Sequence, residues 1–224
     1  MANLHFKTGN LTVKIFHFNF IQVNTYIVYD DTREAVIIDP GNYDEQENER
    51  LERFIIKEKL SIKYIINTHP HIDHILGNHF CKQKYGVPLW VHPAGMSVYQ
   101  SASSYGALFH MPMPSFPNPD CFFGEDDKVL FGRQQWDVLY TPGHCDGSIC
   151  LHDTFNKLVF TGDVLFEGTI GRTDLPTGDL VLLLRSINEH LIPLEDKTLV
   201  LSGHGASTTI GNEKKNNPYF YNSK

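Results

Sequence analysis

Apolar and polar positions along the chain follow two alternating patterns. The first forty residues read as strands: LTVKIFHF (11–18) alternates, and TYIVYD (25–30) and REAVIID (33–39) are β-branched runs parted by an Asp-Asp turn signal. IIDPG (37–41) closes the third run with a Pro-Gly stop. DEQENERLERFIIKEKL (44–60) then carries apolar residues at helical spacing, with Leu51, Phe54, Ile55 and Leu60 able to share a face and acidic residues in its first turn. IKYIINT (62–68) reads as a buried strand. HILGNHFCKQKYG (74–86) reads as one helix closed by Gly86, and VPLWVH (87–92) as another strand. The pattern lapses between Pro93 and Asp127, where five prolines predict an irregular stretch rich in Tyr, Phe and Met. Structureless segments of that length in a compact domain are usually functional, so 93–127 is read as a lid over a pocket, with a packed surface loop as the other reading. Strands resume with WDVLYTPGH (136–144), SICLHD (148–153) and KLVFTGD (157–163). GDLVLLLRSINEHL (178–191) is a helix with Leu180, Leu183, Leu184, Ile187 and Leu191 on one side, TLVLSGHG (198–205) is a last buried strand, and 208–224 forms a short helix and tail. Strands then helix, twice over, predict an α/β protein of two packed sheets with helices outside, in one domain over 1–224.

Composition narrows the function. The 224 residues carry 19 basic and 26 acidic side chains, a net charge of -7, and no basic run, which argues against a nucleic-acid binder. The N-terminus lacks a basic segment followed by an apolar one, and no apolar run is long enough to span a bilayer, so a cytoplasmic protein without membrane contact is expected. Cys81, Cys121, Cys145 and Cys150 show no C-x-x-C spacing and are expected as free thiols. The sequence leaves the oligomeric state undecided.

The chemistry concentrates at strand ends. NTHPHIDH (67–74) places His69, His71, Asp73 and His74 at a strand-to-helix corner, where alternation along the strand and three- or four-residue helical spacing can turn all four to one side. Three further buried strands end in a small turn and a ligand-capable residue: His144 after TPG, Asp163 after FTG and His204 after LSG. Sheets with parallel strands bind ligands beyond their carboxyl ends. Five histidines and two aspartates exceed one open metal site. They divide into His69, His71 and His144 on one metal and Asp73, His74 and His204 on the other, with Asp163 bridging. Imidazole and carboxylate without thiolate suit two divalent ions, Zn first, with Fe or Mn also suited. Asp39 in IIDPG has two readings: a partner that fixes a ligand histidine's tautomer, or a plain turn.

THPHIDH, TPGH, FTGD and SGHG, in that order, resemble the motifs of the metallo-β-lactamase-fold superfamily. The resemblance implies a four-layer αβ/βα sandwich and metal-binding roles for His69, His71, Asp73, His74, His144, Asp163 and His204. LFEGTIGRTDLPTGD and GHGASTTIGNEKKNNPY are similar to the single-domain bacterial proteins like glyoxalase II, which are thioester hydrolases acting on S-acylglutathiones. It therefore implies a dinuclear hydrolase of a small thioester. A metal-bridging hydroxide would attack, and Asp73 would orient it and accept its proton. The chain ends about twenty residues past His204, leaving no room for the helical domain that contacts glutathione in larger glyoxalases. The GRTD portion also resembles persulfide dioxygenases with one iron, and phosphodiester hydrolysis is a lesser alternative. Arg172 is a candidate to bind a substrate carboxylate, or else it completes a turn. Tyr105, Phe109 and His110 of the lid are further candidates to meet substrate.

Overall fold

The computed structural model describes residues 5–108, 115–124 and 126–221. Among these, two large sheets and one small hairpin form. The first sheet holds β1 (His5–Thr8), β2 (Leu11–Phe18), β3 (Val23–Tyr29), β4 (Glu34–Ile38), β5 (Ser61–Ile66), β6 (Leu89–Val91) and β7 (Cys121–Phe122), side by side in chain order. Its first four strands pair antiparallel, and β4 to β7 pair parallel. The second holds β8 (Lys128–Phe131), β9 (Gln134–Tyr140), β10 (Ile149–Asp153), β11 (Leu158–Gly162), β14 (Leu199–Ser202) and β15 (Thr208–Thr209), ordered β15-β14-β11-β10-β9-β8. Within it β11 and β14 are parallel. Between them in sequence, β12 (Leu165–Phe166) and β13 (Thr169–Ile170) make the hairpin.

Alternation along the strands builds the layers. In β2 to β4, Leu11, Val13, Ile15, Tyr26, Val28, Val36 and Ile38 face the second sheet and pack with its Trp136, Ile149, Leu151, Phe160 and Leu201. Phe16, Phe18, Ile27, Ala35 and Ile37 point the other way, against helices α1 (Glu45–Glu58), α3 (Asn78–Tyr85) and α4 (Met96–Leu108). Strands covered on both faces read as continuous apolar runs, as the sequence does here. On the far side, Cys150, Val159 and Val200 meet α5 (Leu180–His190) and α6 (Ile210–Asn216) through Leu183, Ile187 and Ile210. The order helix, sheet, sheet, helix is the expected αβ/βα sandwich. A last short helix, α7 (Pro218–Tyr221), follows α6.

Local signals explain most boundaries. Asp44 caps α1 by accepting from the Glu47 N–H, and Leu51 and Ile55 on the expected face are buried. Asp179 caps α5 in the same way through Leu182. Leu180, expected on the inner face of α5, is instead exposed, because it lies in the first turn beyond the reach of the sheet. The single helix expected after His74 is two: α2 (Ile72–Ile75) and α3, parted by Leu76 and Gly77. The Gly77 N–H donates to the Pro40 carbonyl at 2.7 Å. That contact draws the chain against the Asp-Pro-Gly turn and breaks the helix.

The irregular stretch expected over 93–127 requires correction. A 3-10 turn at Pro93–Gly95 leads into α4, a regular helix. The five prolines sit at its start or beyond residue 111, so none interrupts it. Tyr99 and Ala102 seal it onto the first sheet. Beyond it, Tyr99 Oη donates to the Pro117 carbonyl, and Lys82 Nζ reaches the Asn118 carbonyl and Asp120. Among the described residues no helix is long and apolar enough to cross a membrane.

Candidate metal centre

The seven residues singled out at strand ends meet at one edge of the sandwich. His69 follows β5, and His71, Asp73 and His74 lie at or in α2. His144 comes from the turn after β9, Asp163 directly follows β11, and His204 follows β14. Backbone bonds stitch the two sheets here: Ile149 N–H to the Thr68 carbonyl at 2.9 Å, and Asn24 N–H to the Gly203 carbonyl at 2.7 Å. Gly203 permits the approach, since a Cβ there would lie 2.1 Å from Asp163 Oδ1 and 2.6 Å from His74 Cε1.

Two triads result. The ligand atoms of His69, His71 and His144 lie within 4.8 Å of one another, as do those of Asp73, His74 and His204. His71 presents Nδ1, 2.9 Å from His144 Nε2, and His74 Nε2 is 3.3 Å from His204 Nε2. Two nitrogens bound tetrahedrally to one ion at about 2.0–2.1 Å would be separated by about 3.3 Å, close to these spacings. Asp163 lies between the triads. Its Oδ1 is 3.4 Å from His74 Nε2, and its Oδ2 is 3.7 Å from His144 Nε2, 3.7 Å from His204 Nε2 and 4.0 Å from His69 Nε2. His69 Nε2 and Asp163 Oδ1 are buried without a hydrogen-bond partner. Buried polar atoms normally have partners, so two orphans aimed into a ring of ligand groups fit a cation.

Surrounding groups fix the rings. Asp39 is buried at φ 49°, a conformation rare outside glycine and one met at strained functional sites. Its Oδ2 accepts from His74 Nδ1 at 3.0 Å and from Thr68 Oγ1 at 2.6 Å, and its Oδ1 accepts from the Thr68 N–H at 2.7 Å. The Thr68 hydroxyl, having donated to Asp39, accepts from His69 Nδ1 at 3.1 Å. One carboxylate thus sets the tautomer of a histidine in each triad and leaves both Nε2 atoms free. A third grouping, Asp39 with His69 and His74, is excluded as a cation site because Asp39 is already committed to these donors. His144 Nδ1 donates to the Arg172 carbonyl at 2.7 Å. Buried amides hold the corner itself: Asn19 Nδ2 donates to the Asp73 carbonyl and Asn67 Nδ2 to the His74 carbonyl. Thr68 and the Arg172 carbonyl escape sequence reasoning, one because a hydroxyl at a strand end is common, the other because every residue has a carbonyl.

The triads differ electrostatically. Burial drives His69 well below the ordinary imidazole value, and the surrounding histidines add to the effect. Burial likewise holds His71 down at about 4 and lowers His144. For His74 burial also opposes the charge, but Asp73, Asp163 and Asp39 outweigh it and raise the pKa well above the usual range. His204 is raised too, its desolvation overcome by Asp73 and Asp163. Burial would raise both aspartates, yet His74 and its neighbours lower them.

The substrate-side candidates fare differently. Arg172 is exposed and its fork is occupied: Nε and Nη2 each donate to Asp174 at 2.7 Å. It is the Arg172 backbone, not its guanidinium, that touches the centre. The Tyr105 side chain, Phe109 and His110 lie outside the described residues. Cys145 is buried beside His144, and its thiol, pushed up to about 12 by burial, donates to the Asp146 carbonyl.

A family profile described as the metallo-β-lactamase superfamily matches residues 18–204. The chain belongs to that superfamily. Members of this fold bind divalent metals, and the chain shares the scaffold of metal-dependent hydrolases. Among superfamily relatives, the hydroxyacylglutathione hydrolase GloC of Haemophilus influenzae is 37% identical over 216 residues, covering 96% of this chain and 100% of that protein. The crystal structure of the BLEG-1 B3 metallo-β-lactamase superposes with a TM-score of 0.84 at 34% identity, covering 93% of this chain and 99% of that one. TTHA1623 in a di-iron-bound form gives 0.82 at 33% identity, covering 92% and 98%.

Proposed function

We propose that this protein is a dinuclear metal-dependent hydrolase of small thioesters. The carrying observation is the pair of triads with Asp163 between them. His69, His71 and His144 would hold one divalent ion, and Asp73, His74 and His204 the other, with Asp163 shared. A single-metal reading, as in an iron oxygenase, leaves one triad idle. Two ions bound there would supply Lewis acidity and bring a coordinated water's pKa to about 7. The donor set suits Zn or Fe, and the di-iron form of TTHA1623 keeps iron in view.

The residues divide the remaining work. Among the ligand side chains, His69, His74 and His144 are almost fully enclosed, while Asp73, Asp163 and His204 are 11%, 14% and 23% exposed. Of the seven ligand residues only His71, Asp163 and His204 are part-exposed, so substrate approaches on their side. Asp73 Oδ2, 3.0 Å from His204 Nε2, would orient the attacking water and accept its proton. Attack forms the new C–O bond at the acyl carbon, the C–S bond breaks, and the thiolate departs. Asp39 and Thr68 keep the two Nε2 atoms in register throughout. The relationship to GloC makes a hydroxyacylglutathione the first substrate to try.

The test pairs metal analysis with a substrate panel. Protein purified without added metal is assayed for thiol release from S-acylglutathiones and from thioesters lacking glutathione, with a β-lactam as a further arm. Two equivalents of metal and metal-dependent thiol release are expected. An undiminished thioesterase rate in verified metal-free protein overturns the reading, and β-lactam turnover without thioester turnover reassigns the substrate.

A further inference from the structure

We infer that Glu213, outside the ligand set, is a positioning residue for His144. This rests on the two-metal reading above. Glu213 lies on α6 and is fully buried. Its carboxylate receives four hydrogen bonds, all from neutral donors. Oε1 accepts from Thr208 Oγ1 at 2.6 Å and Asn212 Nδ2 at 2.9 Å. Oε2 accepts from the Gly168 N–H at 2.9 Å and Asn217 Nδ2 at 2.8 Å. A buried carboxylate is costly unless each lone pair is met, and here the donors come from two separate pieces of chain.

The partner that matters is Gly168. It occupies the tip of the β12–β13 hairpin at φ 70°. Asn217 Nδ2 also donates to the Thr169 carbonyl at 3.1 Å, so the C-terminal helices grip the hairpin at two consecutive residues. Both roots of that hairpin lie in the metal centre. Asp163 immediately precedes it. Gly171, which follows it, donates to the Val164 carbonyl at 3.2 Å, and Arg172 then offers its carbonyl to His144 Nδ1 at 2.7 Å. Gly171 is pressed so closely into the centre that a Cβ there would lie 1.9 Å from the Asp163 carbonyl oxygen and 3.1 Å from the His144 ring. From the gripped tip to the Arg172 carbonyl is four residues of chain, two of them in β13, at most about 14 Å. The exposed Arg172 side chain is paired with Asp174, its near neighbour in sequence, and provides no anchor to the body of the protein. Buried Leu165 and Ile170 hold the base of the hairpin and Glu213 fixes its tip; the hairpin fixes a carbonyl, and the carbonyl fixes the ring of one ligand. The TTIGNEKKNNP segment acquires a role in the site although none of its side chains reaches it.

The test separates positioning from bulk stability. Zn(II) is titrated into metal-stripped protein against a competing chelator, and melting temperature is recorded in parallel. Glu213→Ala and Asn217→Ala, which free the hairpin tip, are expected to weaken one of the two zinc equivalents by up to about 10–100-fold, the range for losing an outer partner of a ligand histidine. Glu213→Gln should restore most of it, because its oxygen can keep Gly168 and Asn217 while the Thr208 hydroxyl turns to accept from its amide, Asn212 retaining only its own bond to that hydroxyl. Thr208→Val, on β15 and away from the hairpin, should lower the melting temperature and leave both equivalents intact. In 15N-labelled protein the His144 Nδ1–H should exchange faster with solvent in Asn217→Ala than in Thr208→Val. Wild-type affinity for both equivalents in folded Glu213→Ala or Asn217→Ala overturns the inference. So does a uniform weakening of both equivalents that tracks melting temperature across all four variants. Wild-type protein that takes up fewer than two equivalents overturns the dinuclear reading instead.

Discussion

Asp39 links the two halves of the centre through His74 and, by way of Thr68, His69. Asp39→Asn is expected to lower metal affinity about 10–100-fold at both positions, whereas Thr68→Val should affect mainly the His69 triad. Competition titrations distinguish the two patterns. The opposed histidine shifts give a further expectation. With pKa values below the ordinary range, His69, His71 and His144 are neutral at pH 7 in the metal-free protein. His74, raised well above the ordinary range by the aspartates around it, holds a proton that a cation must displace, and His204 is shifted in the same direction. Loading the Asp73 triad should release protons and tighten as pH rises through neutrality, while loading the His69 triad should depend less on pH there. Calorimetry in buffers of differing ionisation enthalpy reads the difference. The seven side chains of the centre were legible because they cluster where four buried strands end, and a histidine or aspartate there stands out. What tunes them was not legible. Thr68 resembles any strand-end threonine, and the Arg172 carbonyl has no sequence signature, so the arginine drew attention through its guanidinium instead.

Individual strands and helices were readable in proportion to the local order they carry. Runs such as TYIVY and LVFTG need both faces covered, and that requirement shows in sequence. Strands β7, β12, β13 and β15, with two residues each, carry too little pattern and exist because a neighbour offers a ladder. Helix α4 was missed for a related reason. MSVYQSASSYGAL has few strong helix formers and no charged residue, and its place is held by tertiary packing of Tyr99 and Ala102. Capping chemistry, by contrast, makes firm predictions. Asp179→Ala removes the side-chain cap of α5 and should cost about 1 kcal/mol. That corresponds to about 2–4 °C in melting temperature for a chain of this size. The Asp179 N–H still donates to the Gly143 carbonyl, so metal content should not change. Gly171→Ala should reverse that balance. Its Cβ would meet backbone at 1.9 Å, and about 1–3 kcal/mol of overpacking should come with loss of metal. Thermal melts with parallel metal analysis separate the two cases.

Across the whole molecule, stability and metal content should be coupled. A ligand at 100 times its dissociation constant stabilises the folded state by about 2.7 kcal/mol. Chelation should therefore lower the melting temperature by about 5–10 °C, reversibly on restoring the ion. An unchanged melt after verified stripping would count against a preformed centre. The distribution of ligands between the sheets carries a further consequence. His69, His71, Asp73 and His74 follow β5 in the first sheet, while His144, Asp163 and His204 follow strands of the second. Each triad takes two members from one sheet and one from the other. An ion in each would act as a removable rivet between the halves, closing loops of 73 residues between His71 and His144 and 130 between His74 and His204. Covalent closure of loops near that size restricts an unfolded chain by about 4–5 kcal/mol. The same two ions that serve the chemistry would thus hold the halves in mutual register, and a protease should find the stripped protein first where the sheets part.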